Sequence, residues 1–316
     1  MVEKISSLWI MAAGINPTIT PDSVAAAAAA GVQAGPPWWV WPLGLFVATI
    51  ILGILAVLAG VGGGVLYVPL VSAFFPFHLD FVRGAGLLVA LSGALAAGPG
   101  LLRKNLANLR LTLPVALIAS TCSIAGAFVG LAAPTWIVQT AMGVTIILIA
   151  VLFIVSKNTE YPEVKTPDNL AKALRIGGVY REESSGKVVN WQVSRTPQGM
   201  LLFVFIGILA GMFGLGAGWA NVPVLNLLMG APLKVAVGTS KFLLSVTDTS
   251  AAWIYLNQGC VIPLIAVPSI VGIMLGSFLG VKILAVTRAS MVRYVVIGML
   301  FFAGVSSVLK GLGIWG

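Results

Sequence analysis

Lys241 and Asp248 are the side chains in this sequence best placed to do chemistry, because both lie in a segment otherwise apolar enough to enter a bilayer. They are seven residues apart, which puts them on one face of a helix. An ionisable group at membrane depth costs about 2.5–3.5 kcal/mol on insertion scales, so its presence points to function. The ammonium would attract an anion. The carboxylate would pair with that ammonium, or take up a proton that couples transport. Hydroxyls crowd the same span: Thr239, Ser240, Ser245, Thr247, Thr249 and Ser250. Gly238, Thr239 and Ser240 directly precede the lysine. Lys241 is also only about two turns from the start of its segment, so a stem snorkelling to the interface is the competing reading.

A second signal lies in the backbone. Gly60-Val61-Gly62-Gly63-Gly64 is followed by Pro69, and Gly214-Leu215-Gly216-Ala217-Gly218 by Pro223. Glycines that interrupt a helix inside an apolar stretch leave amides and carbonyls unpaired, and lipid cannot satisfy them. Such a break survives where protein or a polar cavity surrounds it, and a matched pair of broken helices points to a transporter's central site. Gly60, Gly62, Gly63, Gly64, Gly214, Gly216 and Gly218 are therefore candidates to line a substrate through their amides, helped by the dipole of the following half-helix. Close helix packing is the simpler alternative for small residues. Asn221 and Tyr67 occupy equivalent positions after the two motifs and offer further polar contacts. Arg83 reads as a mouth residue or an interfacial anchor, and His78, the single histidine, as a loop residue beside Asp80.

Composition excludes most other functions. Apolar residues make up 59% of the 316 and charged residues 9%, where a soluble domain has about a quarter charged. The mean hydropathy is +1.05. An all-α polytopic membrane protein follows, since the inside–outside alternation of a membrane barrel is absent. The net charge of +9 does not signal nucleic acid, because the basic residues sit in short loops and at segment ends. No Ser/His, Cys/His or His/carboxylate constellation appears in the spans, so no enzyme is expected, and neither a cofactor nor a metal. Cys122 and Cys260 lack metal-ligand spacing.

The elements that must position these groups are apolar segments near 39–60, 65–77, 81–102, 111–132 and 135–156, then 199–213, 219–231, 235–256, 261–284 and 291–314. The segments after each glycine motif are short for a full span and read as half-helices. At a constant step of 154 residues Gly60, Gly62, Gly64 and Pro69 recur as Gly214, Gly216, Gly218 and Pro223. Gly84, Pro114, Ser123 and Gly126 recur as Gly238, Pro268, Ser277 and Gly280. The chain therefore divides into an interfacial extension (1–37), a first membrane repeat (38–156), a polar loop (157–198) and a second repeat (199–316). Basic residues at 103, 104 and 110 and in the loop make that side cytoplasmic, as expected for an inner membrane. The same rule favours inverted over parallel repeats, with Arg83 and Lys310 as exceptions.

At the duplicated glycine-to-proline pattern and at Val235-Ala236-Val237-Gly238-Thr239-Ser240, the chain resembles the TauE/SafE family of sulfite exporters, related to toluene-sulfonate permeases. The resemblance covers roughly residues 45–156 and 199–312. It implies secondary transport of small sulfur-containing oxyanions such as sulfite, sulfonates or sulfoacetate, by alternating access and driven by a proton or sodium ion. Lys241 stands where the family commonly has an apolar residue. An anion channel, or a transporter of another small anion, is the rival reading. The expected partners are a small anion, a coupling ion and the lipid bilayer, and a homodimer stays open.

Overall fold

The computed structural model describes residues 39–59, 62–75, 77–103, 107–155, 162, 164, 166–181, 188–284 and 289–314. The N-terminal extension expected over 1–37 lies outside the described residues. The first half contains α1 (Val40–Ala59), α2 (Gly63–Phe74), α3 (Leu79–Arg103), α4 (Leu109–Ala132) and α5 (Thr135–Val155). The connecting loop folds into α6 (Asn169–Ala173) and an antiparallel hairpin of β1 (Gly177–Arg181) and β2 (Val188–Gln192). The second half contains α7 (Thr196–Phe213), α8 (Gly218–Pro223) running into a π-helical turn (Val224–Leu228), α9 (Leu233–Asn257), α10 (Pro263–Leu284) and α11 (Ala289–Gly311). Five of the described helices are long and apolar enough to cross a membrane. Their outward faces carry Leu117, Phe128, Leu148, Phe205 and Phe278, all exposed, as a lipid-facing surface requires. The protein is an all-α polytopic membrane protein.

Small residues set how the helices meet. Without a hydrophobic drive between helices in lipid, close backbone approach supplies the packing energy. Gly53 of α1 faces the backbone of Ile273 and Ser277 on α10, and Gly207 of α7 faces that of Ala119 on α4 with the side chain of Cys122 beside it. The step of 154 residues carries Gly53 to Gly207 and Ala119 to Ile273. One helix contact is thus built twice, with the two halves exchanging roles. On α1 and α10 the partners advance together (Phe46 and Thr49 at Gly272, Ile50 at Gly276), so these helices run parallel. On α5 and α11 the order reverses, with Gly143 at Val308 and Thr140 at Gly311.

Each glycine break turns the chain back. Phe75, just past α2, packs on Trp41 at the start of α1 with ring centroids 5.9 Å apart. Met229, just past the π turn, lies against Gly199 in the first turn of α7, and its carbonyl accepts from the Ser194 amide at 2.9 Å. The 12 residues of α2 rise only about 18 Å, short of the ~30 Å hydrocarbon core.

α9 is the helix that lipid would not tolerate alone, with Lys241, Asp248 and six serine and threonine hydroxyls in its length. It lies against α3, α4 and α8, where other helices cover it. On the loop side, Asn108 joins three elements. Its backbone amide donates to Thr239 Oγ1 (3.2 Å), its side-chain oxygen caps α4 by accepting from the Leu111 amide (2.9 Å), and its Nδ2 donates to the Gly177 carbonyl (3.3 Å). The loop module is thereby seated on the membrane helices, and Ala171, Ile176, Trp191 and Val193 share a core with Leu111, Val115 and Leu225.

Candidate functional site

The two glycine breaks meet inside the protein. A Cβ built on Gly218 would sit 3.2 Å from both the Cα and the amide nitrogen of Gly62, and 3.1 Å from Leu244 Cδ1. One built on Gly64 would sit 2.7 Å from the Leu215 carbonyl. Backbone lies on backbone here, which is the physical reason for glycine. Gly63 faces Ile273, and Gly60 lies outside the described residues. Gly214 ends α7 in the left-handed region (φ +67°), its amide donating to the Ala210 carbonyl at 3.1 Å. Gly216 also has φ +69°, and its missing side chain leaves room for Asp248, whose Oδ2 would lie 2.8 Å from an added Cβ. At both glycines an L side chain costs roughly 1–2 kcal/mol from conformation alone.

Polar groups without partners collect on the second break. Asn221 is fully buried, and neither its amide nitrogen nor its oxygen finds a hydrogen bond. Trp219 Nε1 is likewise buried and unpartnered, and neither carboxyl oxygen of Asp248, which is 1% exposed, has a partner in good hydrogen-bonding geometry, although the Ala217 amide and the Thr247 hydroxyl lie near. Leaving a buried donor or acceptor unpaired costs about 1–3 kcal/mol, more for a charged group. Three such side chains within and against residues 216–221 therefore mark a place built for something other than stability. Asn221 follows Gly218 by three residues and so lies one turn further along the same face of the short helix.

The repeat explains why Asn221 is orphaned. Its counterpart Tyr67 bonds Ser269 Oγ at 3.0 Å. The residue equivalent to Ser269 in the first half is Val115, which offers no polar atom. Trp219 was not singled out from the sequence. The signal was available: the only tryptophan in either break stands where the first repeat has Val65.

Lys241 is half-buried near the loop side of α9, and no ion pair joins it to Asp248. The seven residues between them correspond to a rise of about 10 Å, and the two charges interact at a distance. Gly238, Thr239 and Ser240 are buried beside the loop module, with the Thr239 hydroxyl occupied by Asn108. Four further serine and threonine hydroxyls of α9 turn inward on their own helix. Ser245, Thr247, Thr249 and Ser250 donate to the carbonyls of Phe242, Leu243, Ser245 and Val246. The structure thus gathers Gly62, Gly64, Gly216, Gly218 and Asp248 at one point, with Asn221 a turn away. Thr239 and Ser240 stand nearer the loop.

Arg83, read from the sequence as a mouth residue or an interfacial anchor, is buried in the structure. It is 2% exposed, and its guanidinium donates to the carbonyls of Gly130 (3.1 Å) and Met212 (2.8 Å) and to the Asp80 carboxylate. It also lies 5.7 Å over the Tyr255 ring. It neutralises the carbonyl ends of α4 and α7, where a cation is favoured. His78 lies 3.5 Å from Asp80 at the surface. Cys122 and Cys260 are free and half-buried, and burial pushes the Cys260 thiol up. Among the described residues no group of three metal-ligating side chains exists.

Broken helices meeting at unpartnered polar groups within a polytopic helical bundle define a membrane transporter. The comparisons with known proteins agree. The chain belongs to the sulfite exporter TauE/SafE family, whose model matches residues 45–307. It is similar to a probable membrane transporter protein, YunE, of Bacillus subtilis (strain 168), with 23% identity over 84% of this chain and 98% of the relative. A second probable membrane transporter protein of that organism, YdhB, is 29% identical over 35% of this chain and 45% of its own length. No solved structure matches.

Proposed function

We propose that this transporter carries small sulfur-containing oxyanions of the sulfite or sulfonate type across the cytoplasmic membrane by alternating access. The observation that carries the proposal is the meeting of two broken helices at buried, unpartnered donors. Trp219 Nε1 and the Asn221 amide have no protein acceptor, and an oxyanion with several acceptor oxygens supplies one. The first turn of α2, capped by no side chain at Gly62, directs further amides to the same point. Lys241 provides the positive charge on the approach from the loop side. The family's description as sulfite exporters supports the substrate class.

Inverted repeats would let one half rock against the other around this fixed site. The packing supports that arrangement. α1 and α7 are repeat-equivalent, yet Phe75 returns to the Trp41 end of the first hairpin while Met229 returns to the loop end of the second. The 157–198 loop is read as cytoplasmic from the basic residues around it.

The test is flux in proteoliposomes. Vesicles loaded with unlabelled thiosulfate, methanesulfonate, sulfite or sulfate are diluted into the labelled anion, and uptake is followed. A carrier of this class shows uptake accelerated by the same anion on the far side. A channel conducts without that acceleration, and the absence of flux for every sulfur oxyanion would reject the substrate class.

A further inference from the structure

Asp248 raises a question that the anion site alone leaves unanswered. An anion held at the second break would lie close to the Asp248 carboxyl group, which stands against Gly216, is 1% exposed and has only the Ala217 amide and the Thr247 hydroxyl near it, neither in good hydrogen-bonding geometry. Two negative charges cannot share so enclosed a place. Nor do the surroundings suit a metal ion in place of a proton. Ala90 Cβ and the Leu244 side chain border the same turn, and the Thr247 hydroxyl is committed to the Leu243 carbonyl at 2.9 Å. A neutral carboxylic acid is the form that such a place accepts without a cation.

We infer that Asp248 is the coupling site of this transporter and that it binds one proton together with each anion, making the protein a proton–anion symporter. The inference rests on the anion site proposed above. In the empty carrier the carboxylate is offset by Lys241, seven residues along the same helix. When the anion arrives it takes over Lys241, and Asp248 takes up a proton from the same side. Both leave on the other side, and the Asp248–Lys241 interaction returns for the empty passage. The proton goes from water to the Asp248 carboxyl and back to water, and no bond other than O–H forms or breaks. The unequal halves fit this cycle: the residues equivalent to Asp248 and Lys241 are Ala94 and Leu87, so one proton-binding carboxyl serves one anion site.

Few other charged groups face Asp248. Its own helix carries Lys234, Lys241 and Tyr255. From α3 come Asp80 and Arg83, which are bonded to each other, and Arg103 at its far end, and from α4 Arg110 and Cys122. The described break, α7 and α8 bring none.

The experiment uses purified full-length protein in proteoliposomes with labelled thiosulfate and methanesulfonate. Both stay fully ionised across the working pH range, so neither follows a pH gradient by leaking as a neutral acid. With acid outside, wild type accumulates the anion above equilibrium, and a pyranine-filled lumen acidifies as the anion runs downhill. Asp248→Asn loses accumulation driven by the pH gradient, and the anion exchange it retains no longer moves protons. Accumulation by D248N equal to wild type would overturn the inference. So would wild-type uptake that leaves lumenal pH unchanged, or that follows a sodium gradient with no pH gradient present. The lumenal pH measurement needs no variant, so it decides the matter even if D248N does not fold. Exchange without proton movement removes only the coupling, whereas wild type without exchange of either anion removes the anion site on which it rests.

Discussion

Tyr67 and Asn221 hold equivalent positions in the two halves, yet one is bonded and the other is not. A buried polar side chain kept without a partner is a burden on the fold, and replacing it with an apolar residue of similar size is close to neutral or stabilising. Asn221→Leu should therefore leave the unfolding temperature in detergent unchanged or higher while reducing anion uptake at least tenfold. A purely structural Asn221 would give the opposite pattern, with lower stability and normal uptake by the folded fraction. Lys241 calls for a different measurement, because its charge acts on approach and binding. Lys241→Ala should raise the KM for the anion about tenfold or more, equivalent to about 1.4 kcal/mol, with little change in unfolding temperature. An unchanged KM would assign Lys241 to the interface.

At the scale of the element, the second break carries geometry that no other residue type matches. Gly216 combines a positive φ with a carboxylate oxygen 2.8 Å from where a Cβ would stand. Gly216→Ala would impose roughly 1–2 kcal/mol of backbone strain and push Asp248 away from the break. Lower thermal stability is expected, with a larger loss of transport than the stability change explains. Gly259, also at positive φ but with open space around it, is the control. Gly259→Ala carries the backbone cost alone and should leave transport by the folded protein intact. Equal losses of transport in the two variants would mean that the Gly216 contact with Asp248 is incidental.

At the scale of the whole molecule, Arg83 ties the halves together away from the loop. Its guanidinium spans from α3 to the carbonyl ends of α4 and α7, and the Tyr255 hydroxyl of α9 reaches the Gly211 carbonyl at 3.1 Å beside it. Arg83→Ala leaves the Gly130 and Met212 carbonyls and the Asp80 carboxylate without this partner; a fully buried charge pair costs about 3–5 kcal/mol to break, and solvent at the quarter-exposed Asp80 makes the cost smaller here. A marked fall in unfolding temperature is expected, recovered in part by the double variant Arg83→Ala with Asp80→Asn, which removes the stranded charge. Wild-type stability in R83A would mean that the cluster does not hold the halves. The alternating-access movement proposed above would have to break or carry these bonds.

The sequence by itself determined the membrane class, the helix positions and the duplication. Each of these follows from local quantities: apolar run length against bilayer thickness, and glycines and prolines recurring at a constant step. Gly62 and Gly216 were legible as breaks for the same reason. Tertiary structure alone decided which groups lack partners. Arg83 looked like a surface anchor because a guanidinium beside a loop usually is one, and only the convergence of three helix ends gives its terminal nitrogens partners in the interior. Asn221 and Trp219 carry no local mark of being unpaired, since a hydrogen bond depends on residues far away in the chain, such as Ser269 for Tyr67 and the apolar Val115 at the matching position.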